Sequence, residues 1–111
     1  MEIPNQGKLV RDRIPEIIEN DGLIAVTRLV QGDDLYRALK VKLLEESKEL
    51  QEASHDNDLE EIADVLEVLF ALAELTGHPW PQVLKYAREK RLHRGGFRNG
   101  VWLVETTNPN Q

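Results

Sequence analysis

One apolar stripe limits what this chain can fold into. Leu35, Leu39, Leu43, Leu50 and Ala53 recur at helical spacing, and Glu46 stands in the middle of them with Glu49 at the edge. A second helical stretch follows after a short polar break. There Glu60, Glu67 and Glu74 recur every seven residues and mark a solvated ridge, while Glu61 and Asp64 fall on the side of Val68, Leu72 and Leu75. Residues three apart on a helix are neighbours, about 60° apart around the axis. Two helices joined by a short break pack antiparallel, so the inward acids of both helices are expected to meet.

Inward carboxylates gathered together need a counter-charge, because burial and like-charge repulsion both favour the protonated form. A divalent cation supplies it. An all-oxygen set suits a hard ion, Mg²⁺ or in its place Mn²⁺, and the chain has no cysteine to favour a softer one.

At 111 residues the chain reads as one domain, 1–111, able to bury a core without disulfides. Lack of cysteine fits a reducing cytoplasm. No charged-then-apolar leader is visible. The most apolar run, Ile62 to Leu75, carries Asp64, Glu67 and Glu74 and is too short to span a bilayer. A soluble, cytoplasmic protein with no membrane partner is expected. The net charge of −6 argues against dedicated nucleic-acid binding.

Pro15 and Gly22 bracket a short helix, Ile14 to Asn20. Ahead of it lie Lys8, Arg11 and Arg13, read either as solvated charge or as phosphate contacts. Leu23 to Val30 is β-branched and aliphatic and reads as a strand. The other credible strand, Val101 to Thr106, is its expected partner in a small antiparallel ribbon. Asp33 or Asp34 is expected to cap the first long helix, which runs to about Ser54, and Asp56 to Asp58 offer caps for the second, which Gly77 ends. A third long helix is expected from Pro81 to about His93, packing through Val83, Leu84, Ala87 and Leu92. Lys90 and Arg94, four apart, share a face near its end. The fold class is therefore all-α: three long helices and a short N-terminal one, with a minor two-stranded ribbon. The second helix is apolar around most of its girth, which predicts burial in a homo-oligomer.

Glu45-Glu46-x-x-Glu49 followed by Glu61-x-x-Asp64 resembles the metal-binding signature of the all-α nucleoside triphosphate pyrophosphatases, the MazG-like and phosphoribosyl-ATP pyrophosphohydrolase-like superfamily. Lys8-Leu9-Val10-Arg11-Asp12-Arg13-Ile14-Pro15 is similar to the start of its small single-domain members, and Arg94-Gly95-Gly96-Phe97, preceded by Lys90, to their C-terminal segment. Arg13 departs from the lysine common in small relatives. The resemblance implies hydrolysis of a nucleotide between its α- and β-phosphates, giving a monophosphate and pyrophosphate, in nucleotide-pool sanitation. It implies Glu46, Glu49, Glu61 and Asp64 as Mg²⁺ ligands, with Glu45 as a supporting outer-shell base beside Glu46 in the catalytic centre. It also implies a homodimer or homotetramer.

The chemistry is coherent with these residues. Phosphoryl transfer needs the charge on the transferring group neutralised and a water held in line. Basic side chains are then wanted on the departing pyrophosphate, and Lys90 and Arg94, with Lys8, Arg11 or Arg13, are the clusters available. Alternative readings stay open. Glu45 and Glu49 also fit exposed helix ion pairs with Lys48 or Lys42, and Asp64 fits an acid paired with an arginine. The activity could instead be that of a phosphoribosyl-ATP pyrophosphohydrolase of histidine biosynthesis. A non-catalytic helical interaction module holding a structural ion is the reading from another class.

Overall fold

The helix boundaries follow from where the backbone can be closed off. In the computed structural model, which describes residues 6–110, these residues form four α-helices and one 3-10 turn. The helices are α1 (Ile14–Asn20), α2 (Gly32–Glu52), α3 (Asp58–Leu75) and α4 (Trp80–Arg94), with the turn His55–Asn57 between α2 and α3. The chain comprises two compact units, Met1–Trp80 and Pro81–Gln111.

In the first unit, α1 carries Pro15 in its opening turn and closes at Gly22, whose φ is +86°. The Gly22 N–H donates to Glu19 O at 3.0 Å and the Leu23 N–H to Ile18 O at 3.3 Å. This paired closure satisfies two otherwise orphaned carbonyls and needs a left-handed residue at its centre, which glycine adopts freely. Gly77 ends α3 the same way: its N–H donates to Glu74 O at 3.2 Å, and that of His78 to Ala73 O at 2.8 Å.

α2 and α3 pack against each other, antiparallel across the short break. Ala38 and Leu39 of α2 and Val68 of α3 are the buried hydrophobic residues, and Glu46 is buried with them. Leu35, Leu43, Leu50 and Ala53 are half-buried, which completes the stripe expected from their spacing. Glu60, Glu67 and Glu74 are exposed, but the ridge is not set apart from the inward acids: Glu67 and Glu74 line the same groove as Glu46, Asp64 and Val68. α3 carries a second apolar line away from α2. Leu59, Ile62, Leu66 and Leu69 step by three and four residues and remain 81%, 52%, 49% and 40% exposed. At the end of α3, the Phe70 and Trp80 rings meet at 5.5 Å and 59°.

Three expectations are corrected. The β-ribbon is absent: among the described residues there is no strand, and neither Leu23–Val30 nor Val101–Thr106 is in a ladder. β-propensity expresses how well a side chain fits a pleated, half-covered surface. Here Ile24, Val26, Leu29, Val101, Trp102 and Val104 are all well exposed, so no such surface exists to reward it. The cap of α2 is also displaced. Gln31 occupies the cap position without a side-chain hydrogen bond, and Asp33 and Asp34 lie in the first turn, where their charge favours the helix N-terminus. Asp34 there pairs with Arg37. In the second unit, α4 does not pack through the expected residues: Val83 is half-buried, but Leu84, Ala87 and Leu92 are exposed. Its apolar residues do not gather on one side, so it lacks a face to bury.

Candidate functional site

The α2 stripe brings Glu46 to the α2–α3 interface, and α3 presents Glu61 and Asp64, one turn apart, from the other side. Carboxylate oxygens of these three residues lie within 4.8 Å of one another. Glu46 is almost fully buried, and Glu61 and Asp64 are half-buried. Oε2 of Glu46 and Oε2 of Glu61 are both buried without a hydrogen-bond partner among the described residues. A buried carboxylate oxygen left without a donor is unfavourable, and a hard divalent cation, which takes oxygen ligands, satisfies it. These three residues could hold a metal ion, and their all-oxygen donor set is of the hard type.

The electrostatics agree with this geometry. The Glu61 carboxyl is raised above its ordinary pKa by burial first, then by the charges of Asp64, Glu46 and Glu60. The Glu49 carboxyl is raised as well, chiefly by its hydrogen bond with Glu46 and by the charge of Glu46, then by burial, Glu61 and Glu45. Glu49 is exposed and stands outside the group of three.

Two cations already touch the acids. The Lys42 ammonium lies 3.2 Å from Glu46 Oε1 and 3.5 Å from Glu45 Oε1, and its side chain is only 16% exposed. Arg11, brought in by the N-terminal segment, donates from Nη2 to Asp64 Oδ1 at 2.7 Å. Both cations, with Glu46 and Asp64, line a groove of about 580 Å³ whose walls include Leu35, Leu39, Val68 and Leu75. That volume lies in the range of small-molecule sites.

The structure thus brings together Glu46, Glu61 and Asp64, with Glu45, Glu49 and Arg11 around them. Lys8 and Arg13 are exposed, and Arg13 Nε faces Glu16 Oε2 at 3.5 Å. Lys90 and Arg94 lie on α4, which falls in the second unit but for its first residue; Lys90 Nζ stands 5.2 Å from the Tyr86 ring centre. Sequence reasoning named Lys42 only as an exposed ion-pair partner of Glu45 or Glu49; its pair with Glu45 is present, and what was missed is its burial and its contact with Glu46. The available signal was its position four residues before Glu46, which places it on the same face.

No family model matches this chain, and no solved structure matches it. Among curated proteins, an uncharacterized protein of Mycolicibacterium smegmatis (strain ATCC 700084 / mc(2)155) is 48% identical over 47 residues. The match covers 42% of this chain and 48% of that relative, so the chain spans about half the relative's length.

Proposed function

We propose that this protein is a Mg²⁺-dependent nucleoside triphosphate pyrophosphohydrolase acting in nucleotide-pool sanitation, a small member of the MazG-like superfamily. The observation that supports this most is the approach of Glu46, Glu61 and Asp64 to within 4.8 Å, with two buried carboxylate oxygens that meet no donor among the described residues. Glu46, Glu61 and Asp64 hold the cation, and Glu49 supports it through Glu46. When bound, the cation supplies charge neutralisation on the phosphates and lowers the pKa of a bound water.

The reaction adds one water across the α–β anhydride. One P–O bond forms and the bridging P–O bond breaks, and pyrophosphate leaves as an anion. Glu45, beside the cluster, accepts the proton that the water loses. Lys8, Arg11 and Arg13 are basic residues of the same unit available to steady the phosphates. No described helix is long and apolar enough to cross a membrane, and a cytoplasmic location is part of this proposal. So is self-association, supported by the exposed apolar line on α3.

The test is pyrophosphate release from common and modified nucleotides with Mg²⁺ or Mn²⁺. Release is expected with either ion, stopped by chelator and by Glu46→Gln or Asp64→Asn. An absence of metal-dependent release across the whole panel refutes the reading.

A further inference from the structure

We infer that Lys42 and Arg11 are the anion contacts of the groove beside the acid cluster, and that they hold the phosphate end of a ligand shared with the cation at Glu46, Glu61 and Asp64. This rests on the metal-site reading above and assigns residues to its substrate side.

Position carries the argument. Lys42 is paired with Glu46 and Arg11 with Asp64, two of the three cluster acids. An anion that bridges the two basic side chains therefore stands next to the cation as well. Both line the same groove, one from α2 and one from the N-terminal segment. Lys42 is a long cation held with only 16% of its side chain exposed, an arrangement that costs side-chain entropy and desolvation. A solvated helix charge has neither cost. Its ammonium carries three donors and meets two carboxylates. Arg11 uses Nη2 on Asp64 and keeps its side chain 56% exposed, and a guanidinium has further N–H donors of the kind that suits phosphate.

Charge also sets an order. Asp12, Glu46, Asp64, Glu67 and Glu74 line the groove against two cations, Arg11 and Lys42. A bare polyanion meets net negative charge there and is repelled. One that arrives with a divalent cation is neutralised at the cluster and held by the two basic groups. The apolar walls then suit the ring-bearing remainder of a phosphate ester. The ligand class is thus a phosphoanhydride taken up together with a divalent cation.

The experiment is calorimetric binding of inorganic pyrophosphate at saturating Mn²⁺ to the wild type, Lys42→Met, Arg11→Met and Lys42→Arg, with Mn²⁺ affinity measured separately in each. Loss of one charge-assisted contact should weaken pyrophosphate roughly ten- to a hundredfold in each Met variant. Mn²⁺ affinity should be kept or improved, since a neighbouring positive charge has gone. Lys42→Arg should recover part of the loss, and without Mn²⁺ the wild type should show no pyrophosphate binding. Pyrophosphate affinity within twofold of wild type in both Met variants overturns the inference and leaves the metal site standing. So does a parallel loss of Mn²⁺ affinity, which would make these side chains mere supports of Glu46 and Asp64. A wild type that takes up Mn²⁺ but no pyrophosphate overturns it as well, and one that takes up no Mn²⁺ refutes the metal-site reading with it. Should circular dichroism show Lys42→Met unfolded, Arg11→Met decides alone, because Arg11 is exposed and its loss leaves the α2–α3 packing untouched.

Discussion

Leu66→Glu should convert the protein to a monomer. Leu66 sits in the middle of the line Leu59, Ile62, Leu66 and Leu69, and it is 49% exposed. The three-and-four spacing is that of a helix–helix seam, and the self-association proposed above would seat a second copy on it. Burying a leucine fully is worth about 1.5–3 kcal/mol, so covering its exposed half is worth about 1 kcal/mol. In a two-fold interface the residue appears twice, which makes the apolar loss alone about 2 kcal/mol, or roughly thirtyfold in Kd. Glutamate adds two desolvated like charges to that loss. Sedimentation velocity across a micromolar series is the assay, with Val41→Glu on α2, off the seam and 63% exposed, as the control. A wild type that stays monomeric at high micromolar concentration refutes the reasoning, and so does a Leu66→Glu variant that associates as the wild type does.

Glu46→Gln and Asp64→Asn should each weaken Mg²⁺ and Mn²⁺ binding by calorimetry while far-UV circular dichroism stays helical; unchanged affinity in both would remove the metal site. Glu49 and Glu61 are raised above their ordinary pKa values, so their stabilising contribution is present below the ordinary carboxylate range and is lost as pH rises through the raised values. Thermal melts in chelator should therefore fall over that interval, Glu61→Gln should flatten the fall, and Mg²⁺ should reverse it; a flat wild-type profile would contradict the raised state of these two carboxyls.

How much was legible depends on whether the signal was local. α1 was readable at both ends, because Pro15 and Gly22 act through their own backbone angles. The α2 stripe was readable because helical periodicity fixes which residues share a face, and that placed Glu46 inward before any contact was known. The ribbon was not readable. Leu23–Val30 has the composition of a strand, but a strand exists only with a partner, and composition carries no information about one. Asp33 and Asp34 misled for a related reason: capping depends on one backbone residue, and the helix had already started at Gly32. Lys42 was hidden by its type, since a lysine on a charged helix is usually solvated. Only the packing of α3 against α2 turns it into a half-buried partner of Glu46.

The position of Glu46 carries a further consequence for how the fold is held together. The site lies on the α2–α3 interface, beside a core made of Ala38, Leu39 and Val68. A leucine there would continue the stripe and strengthen the packing. The chain instead sets a carboxylate against Glu61 and Asp64, and the described cations reach only part of that charge: Lys42 meets Glu46 Oε1 and Arg11 meets Asp64 Oδ1, whereas the two Oε2 atoms of Glu46 and Glu61 have no donor among the described residues. Metal-free packing of α2 on α3 thus works against like-charge repulsion at its centre. Any cation that binds the cluster binds the packed form and not the unfolded chain, so it adds RT ln(1 + [M]/Kd) to stability, about 2.7 kcal/mol at a hundredfold excess over Kd. The same term makes the hairpin a reporter of its own site. Melting temperature should rise with the logarithm of Mg²⁺ concentration above Kd in the wild type, and should not respond in Glu46→Gln. A midpoint that rises equally in both would show the ion acting by general screening of the −6 net charge, away from the cluster.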